Sequence, residues 1–521
     1  MNEVLTSMET LFTLQALGLL MLGTSLGVMV GAIPGLTGSM LIALSLPLTF
    51  TMSGEHALIL LVSMYVGSVS GGLITATLLR IPGTPASMMT TLDGYPMAKS
   101  GRPGRALGLG VSASFVGGLI SWFFLVLLSG PLAELSMTFG PWEFFALVLM
   151  ALVLIASVSG ESLSRGLLAG FLGILIAMPG TNPATGMTRL TFGMHELDDG
   201  FKLLPVLIGL FAVNQVIDEI LRIDEPLTPI RVSRQGLFLK LHEWKENSVN
   251  LIRSSLAGTF IGILPGIGAN IGSVVAYSLA KNASKTPDEF GKGSEEGIIA
   301  SEAANNATVG GALIPLIAMG IPGSVIDAIL LGALVIHGLQ PGPLLFEQNP
   351  EVVYTIMGTM FVANLFMFFF MMLTVQWLAK LASVPRQILI PIILTFCVIG
   401  SYALANRFFD VWVMLGFGLV GFAMERMKIP LAPFVIGFVL APIGEEHLAE
   451  ALMQTGGNWS PLVTRPIAGS LTLAAVVMFV FTLVRHRRTT INSKQNRLTE
   501  EPTKEPGEKS IEPQRHGEED I

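Results

Sequence analysis

GVMVGAIPGLTG, residues 27–38, returns 231 positions later as GTFIGILPGIGA, residues 258–269. Gly27, Gly31, Pro34 and Gly35 of the first stretch match Gly258, Gly262, Pro265 and Gly266 of the second. Both copies put Pro-Gly at the end of an apolar run. Proline lacks the backbone donor and clashes with the preceding turn, so a helix breaks there. Irregular backbone survives in lipid only where protein or a water-filled cavity surrounds it. A break of this kind, repeated at matching places, points to a membrane protein built from two copies of one unit, with its site at the breaks.

The likeness continues along the chain. GGLITATLLRIPG, from Gly71, matches GGALIPLIAMGIPG, from Gly310, at an offset of 239 that rises to 240 at Pro82 and Pro322. PVLIGLFAV, from Pro205, matches PFVIGFVLA, from Pro433. Each copy holds seven apolar segments: 11–33, 36–50, 56–81, 106–128, 142–159, 163–180 and 203–221, then 251–266, 267–280, 297–321, 353–379, 387–403, 411–425 and 431–444. An odd number sends the second copy into the membrane with opposite polarity, the inverted-topology repeat of secondary transporters. A full span needs about 20 residues, so the shorter segments are expected as half-helices or re-entrant arms. The expected organisation is a first transmembrane repeat over 1–221, a cytoplasmic linker over 222–250 and a second repeat over 251–444. An outer loop and final helix (445–484) and a disordered cytoplasmic tail (485–521) complete it.

Composition agrees with an all-α polytopic membrane protein. Hydrophobic residues make up 51% and charged residues 13%, against about 25% charged in soluble domains. The 57 glycines let helix backbones approach closely in lipid. A net charge of −7 with no basic stripe excludes a nucleic-acid binder. The single cysteine, Cys397, excludes a disulfide scaffold. The first ten residues carry no basic side chain and so no signal-peptide n-region; 11–33 is expected to remain as a membrane helix. Lys and Arg in alternate connections divide 17 to 4, the poorer set being Arg189, Lys202, Arg407 and Arg465. That imbalance puts the N-terminus outside and the C-terminus in the cytoplasm. The tail from Arg485 holds eight acidic and eight basic residues and no apolar periodicity, too little to fold by burial.

The breaks are the expected site. Small polar residues follow them: Thr37 and Ser39 after Gly35, Thr84 and Ser87 after Gly83, Asn270 and Ser273 after Gly266, and Ser324 after Gly323. Helix N-termini there offer free N–H groups and positive dipole ends to a carboxylate. The expected substrate-binding set is therefore Gly35, Thr37, Ser39, Gly83, Thr84, Ser87, Gly266, Gly323 and Ser324. Amide and hydroxyl oxygens of Asn270, Ser301, Asn305, Asn306 and Thr308 suit Na⁺. Arg80 is the one cation near a break. Three acids stand out: Glu302 in a span, Asp327 after the second Ile-Pro-Gly, and Asp93, expected in a loop with cations nearby. The competing view of the small polar residues is helix packing. His337 has no second ligand at metal spacing. With no HExxH, GxxxxGK[ST] or GxSxG motif, protease, ATPase and hydrolase readings lack support, and no cofactor beyond a coupling Na⁺ or H⁺ is expected.

GAIPGLTGSM, IPGTPASMMTTLDGYPMAKSGRPGRALG, MPGTNPATGMTRLTFG, GILPGIGANIGSVVAYSLAK and SEEGIIASEAANNATVGGALIPLIAMGIPGS resemble the large membrane subunit of tripartite tricarboxylate transporters. The likeness runs from about residue 10 to 485. It implies a bacterial inner-membrane permease that works with a periplasmic solute-binding protein and a small membrane subunit. It also implies carboxylate uptake driven by Na⁺ or H⁺, and an elevator-type ion-transporter fold with hairpins at Pro34–Ser39, Pro82–Ser87, Pro265–Asn270 and Pro322–Ser324. Two other classes compete: a passive anion channel, and an intramembrane enzyme, for which no activated nucleophile is found. Thr181–Lys202 and Gly323–Val352, the longest expected outer loops, are the docking candidates for a partner.

Overall fold

The computed structural model describes residues 2–82, 84–158, 163–182, 185–224, 230–264, 268–403 and 405–480. Gly83, Pro265, Gly266, the tail 485–521 and the side chain of Asn270 lie outside the described residues. Helix α1 (Asn2–Leu11) and α2 (Leu14–Gly31) lead to the first Pro-Gly break and a short α3 (Gly38–Ser45). Helix α4 (Gly54–Leu79) starts on Ser53, whose hydroxyl accepts from the His56 N–H, and stops at Arg80, where φ is +58° ahead of Pro82. Helices α5 (Thr90–Lys99), α6 (Pro103–Met137), α7 (Pro141–Val158) and α8 (Leu163–Ala177) follow. A small antiparallel hairpin, β1 (Gly180–Thr181) with β2 (Thr188–Arg189), precedes α9 (Leu203–Leu207), which continues through a π-helical turn (Ile208–Val213) into α10 (Asn214–Leu221).

The second half runs through α11 (Leu241–Ile263), α12 (Gly268–Ala283), α13 (Glu295–Met319) and α14 (Val325–Ile336). It continues with α15 (Pro343–Gln348), α16 (Pro350–Leu381), α17 (Arg386–Ala403) and α18 (Phe408–Arg426). The last elements are α19 (Leu431–Gln454), α20 (Pro461–Thr464) and α21 (Pro466–Val480). Among the described residues eight helices are long and apolar enough to cross a membrane: α2, α4, α6, the α9–α10 run, α16, α17, α18 and α19. This is an all-α polytopic membrane protein. Helices α3 and α14 are apolar but short, and each begins a few residues after a break.

Two helices form the centre. Every residue from Ala57 to Leu78 of α4 and from Gly297 to Ala318 of α13 is buried. Small residues make this possible. A Cβ on Gly31 of α2 would lie 2.5 Å from the Ser68 carbonyl and 3.0 Å from Gly71 Cα of α4. A Cβ on Gly262 of α11 would lie 2.7 Å from the Thr308 carbonyl and 3.1 Å from Gly311 Cα of α13. The second crossing repeats the first at 262 − 31 = 231 on one helix and 311 − 71 = 240 on the other. The offset of 239 read at Gly71 therefore slips by one, because adjacent glycines at 310 and 311 offer two ways to align. Around this centre α6 lies along α13 and α16 along α4, while α8 packs on α19 and α18 on the π-helical turn.

Three expectations change. Residues 323–352 are not an open outer loop: α14 occupies most of the first half, and Asp327 to Leu334 are buried. Its twelve residues are too few for a span, which hid it among loop residues. The polar stretch 222–250 is not all linker, since its last ten residues form the first turns of α11. Contacts hold those turns: Glu243 accepts from the Lys240 N–H at 2.6 Å and meets Arg105 of α6 at 2.8 Å, and Asn250 donates to the Glu296 carbonyl at 3.0 Å. Helix α19 runs on past residue 444 to Gln454.

Candidate functional site

The chain following three of the four breaks reaches the α4–α13 pair; the third break lies outside the described residues. Thr37 caps α3 by accepting from the Met40 N–H and lies 3.0 Å from the Ser39 hydroxyl. A Cβ on Gly38 would strike the Ser68 hydroxyl at 2.2 Å, so α3 begins against the centre of α4. Ser324 caps α14 by accepting from the Asp327 N–H at 3.3 Å, and its hydroxyl sits 3.3 Å from the Tyr65 hydroxyl on α4. Gly323 packs against the Gly262 carbonyl and Ala312. Beside Gly72 of α4, Ser87 donates to the Thr84 carbonyl at 2.8 Å and accepts from the Thr84 N–H at 3.1 Å. Among the described residues no hydrogen bond joins the Thr37–Ser39 pair to the Thr84–Ser87 pair. Gly35, at φ +82°, faces elsewhere: its Cα side abuts Glu219 and Gln215 of α10.

Four of the five residues expected to hold a cation, Ser301, Asn305, Asn306 and Thr308, lie on α13, and the fifth, Asn270, is on α12. Asn306 accepts from Ser70 of α4 at 2.6 Å, a buried hydrogen bond between the two halves. Asn305 donates to the Val69 carbonyl at 3.4 Å, and its side-chain oxygen is buried without a partner. Ser301 lies 3.0 Å from the Thr90 hydroxyl of α5, and its carbonyl accepts from Ser273 at 3.2 Å. Glu302, fully buried, accepts from Thr90 at 2.5 Å and from Ser114 of α6 at 3.1 Å. Thr308 is committed to packing, its hydroxyl donating to the Asn305 carbonyl at 2.6 Å and its methyl facing Gly272.

Asp93 and Arg80 depart from expectation. Asp93 is on α5 and buried, and among the described residues no cation pairs with its carboxylate. One oxygen accepts from the Gly291, Gly293 and Ser294 N–H groups at 2.8–2.9 Å, and the other from the Tyr277 hydroxyl at 2.7 Å. Two of these donors belong to glycines at positive φ, so the carboxylate shapes the α12–α13 turn. Arg80 is exposed and lies over the Tyr95 ring at 5.9 Å, away from the central cluster.

A cavity of about 1360 Å³ opens at the end of α13 next to the second Ile-Pro-Gly, with Met319, Gly320 and Ile321 in its wall. Three of the four Lys and Arg residues in the cation-poor set, Arg189, Lys202 and Arg407, line it. Arg189 donates to both Glu445 oxygens at 2.5 Å, and this bonding holds its guanidinium pKa above the ordinary value. Lys202 lies 3.3 Å from Asp199, and Arg407 pairs with Asp410 at 2.9 Å. The fourth, Arg465, binds Glu143 at 3.0 Å. Sequence reasoning used these residues only for orientation. Their scarcity was a signal, but nothing in their spacing says that loops over 200 residues apart meet at one cavity.

An uncharacterised 52.8 kDa protein in the TAR-I ttuC′ 3′ region of Agrobacterium vitis is 35% identical over 470 residues, covering 89% of this chain and 93% of that protein. A second uncharacterised protein, in the TAR-II ttuC′ 3′ region of the same organism, is 36% identical over 234 residues, covering 44% of this chain and 97% of its own length. No solved structure matches the chain. The Tripartite tricarboxylate transporter TctA family model matches residues 17–436, a range that holds all four breaks, the α4–α13 centre and the Arg189 and Arg407 walls of the cavity. The chain belongs to this tripartite tricarboxylate transporter family, as its large membrane subunit.

Proposed function

We propose that this subunit imports a tricarboxylate or related carboxylate across the inner membrane, driven by a Na⁺ or H⁺ gradient, on delivery by a periplasmic solute-binding protein and together with a small membrane subunit. The observation that carries this is the meeting of short helices, each starting at a break, around two buried helices joined by the Ser70–Asn306 hydrogen bond. An inverted repeat is supported by the paired glycine crossings, Gly31 on Gly71 and Gly262 on Gly311. It is supported too by the exchanged packing of α6 on α13 and α16 on α4. In such transporters, half-helix ends at a repeat interface hold substrate and coupling ion while one part moves against the other.

With the N-terminus outside and the C-terminus in the cytoplasm, the cavity with Arg189, Lys202 and Arg407 faces the periplasm. The Arg105–Glu295 pair, 2.6 Å apart, marks the cytoplasmic end. The substrate route then runs from the cavity along Ile321 to the breaks, where Thr37, Ser39, Thr84 and Ser87 stand with the helix N-termini. The test is uptake of labelled tri- and dicarboxylates into proteoliposomes holding the complete complex, under imposed Na⁺ or H⁺ gradients. Accumulation that needs both a gradient and the binding protein is expected. Flux that only equilibrates, whatever the gradient, would establish a channel instead.

A further inference from the structure

Resting on the transport reading above, we infer that Asp327 is a monovalent-cation site, a carboxylate that takes up a proton or a sodium ion at the start of α14.

The argument begins with burial. Asp327 is fully buried, and neither of its oxygens has a hydrogen-bond partner of good geometry. An isolated carboxylate in such surroundings costs several kcal/mol as an anion, and a bound cation removes that cost. Two other buried acids are treated differently: Glu302 and Asp93 have hydroxyl or backbone donors on both oxygens. Asp327 alone among these three is left open. Its own N–H is taken by the Ser324 hydroxyl, which caps α14.

The neighbouring groups suit a cation. The Ser324 and Tyr65 hydroxyls, 3.3 Å apart, stand beside Asp327, and both can turn oxygen lone pairs toward a bound ion. The helices packed on α14 supply little else that titrates. Helices α3 and α9 have no ionisable residue. On α4, Glu55 and His56 sit at the far start of the helix. On α13, Glu295 pairs with Arg105 and Glu302 is bonded to Thr90 and Ser114, while Glu296 lies in the first turn, at the end away from α14. On α19 the acids and His447 are confined to the last turns, at the cavity mouth. Access is short. Leu331, one helical turn along α14 from Asp327, lines the cavity, as does Ile321 just before the break. A carboxylate at this helix start would also repel a substrate carboxylate, which moves Ser324 from the anion set to the cation site.

The test uses the complete complex in proteoliposomes, with labelled carboxylate and either a proton or a sodium gradient. Asp327→Asn keeps the shape and removes the charge. Loss of accumulation above equilibrium is expected, with counterflow exchange retained, and the gradient that drives the parent identifies the ion. An Asp327→Asn complex that accumulates substrate as the parent does overturns the inference and leaves Asp327 as a first-turn helix residue. If that variant does not assemble, Tyr65→Phe is expected to shift the ion concentration for half-maximal uptake; an unchanged value overturns the inference. A parent indifferent to both gradients refutes the transport reading and this inference together, whereas a driven parent with an equally driven variant refutes this inference alone.

Discussion

Replacing Gly31 by Ala adds one methyl group where α2 crosses α4 backbone to backbone. That Cβ would sit 2.5 Å from the Ser68 carbonyl oxygen and 3.0 Å from Gly71 Cα, both backbone atoms that no rotamer change can move. Ordinary contact begins at 3.4 Å, so the helices must part by roughly 1 Å. Overpacking of this kind costs about 1–3 kcal/mol, offset by the ~0.5–1 kcal/mol that alanine gains over glycine inside a helix. A net loss of about 1–2 kcal/mol is expected. Gly262→Ala should behave alike, because its Cβ would meet the Thr308 carbonyl at 2.7 Å and Gly311 Cα at 3.1 Å. Gly18, on the same helix as Gly31, has nothing within 4 Å, so Gly18→Ala keeps the propensity gain without the clash. The assay is thermal unfolding of each variant in detergent, followed by helical signal and by monodispersity. Midpoints should fall for Gly31→Ala and Gly262→Ala and hold or rise for Gly18→Ala. Equal midpoints for all three would refute the argument that bare backbone contact sets these crossings.

Asn306→Leu removes the acceptor for Ser70 at 2.6 Å and leaves a buried hydroxyl facing an apolar group; gradient-driven uptake should vanish while membrane insertion, measured by fractionation, persists. Arg189→Ala should weaken the tie between β2 and α19, and a double-mutant cycle with Glu445→Ala should return a coupling of about 1 kcal/mol, as a bidentate, partly buried pair warrants. A coupling indistinguishable from zero would mean that the pair does not hold the cavity wall. Glu243 is held below the ordinary glutamate pKa, first by the Lys240 N–H and then by Arg105. A depressed folded pKa gives stability that is present above the unfolded value and fades as pH falls through the folded one. Glu243→Gln should therefore flatten the acid side of the stability profile, read by unfolding midpoints across that range.

Pro-Gly breaks were legible in the chain because their effect is local: a missing donor and a ring clash need no tertiary contact to break a helix. The two-copy pattern was legible for the same reason, apart from the one-residue slip at Gly310 and Gly311, where only the crossing partner decides which glycine is equivalent to Gly71. Helix α14 was not legible. VIDAILLGALVI is apolar enough for a membrane but short, and its burial comes from α3, α4 and α19, far away in sequence. The first turns of α11 were hidden for the opposite reason, since LHEWKENSVN is polar and its order comes from Arg105 and Glu296. Among the expected site residues, Asn306 and Ser301 meet polar partners, Ser70 and Thr90, from the first half of the chain. Gly35 does not, because the chain leaves α2 toward α10 before turning back into α3.

The electrostatics of the cavity bear on why such a subunit works with partners. An anionic substrate is drawn to a surface by unpaired positive charge, within a Debye length of about 8 Å at physiological salt. Here Arg189, Lys202 and Arg407 are each matched by an acid within 3.3 Å, and Glu446 stands in the same wall. The charges in the cavity wall are therefore nearly balanced, an arrangement poor at gathering a dilute anion from solution. On the function proposed above, a docked binding protein removes that need, because it presents its ligand at an effective concentration that tethering raises to about the millimolar range. Capture and translocation fall, on that same proposal, to different chains, and the cavity arginines stay paired with their acids until the ligand is delivered.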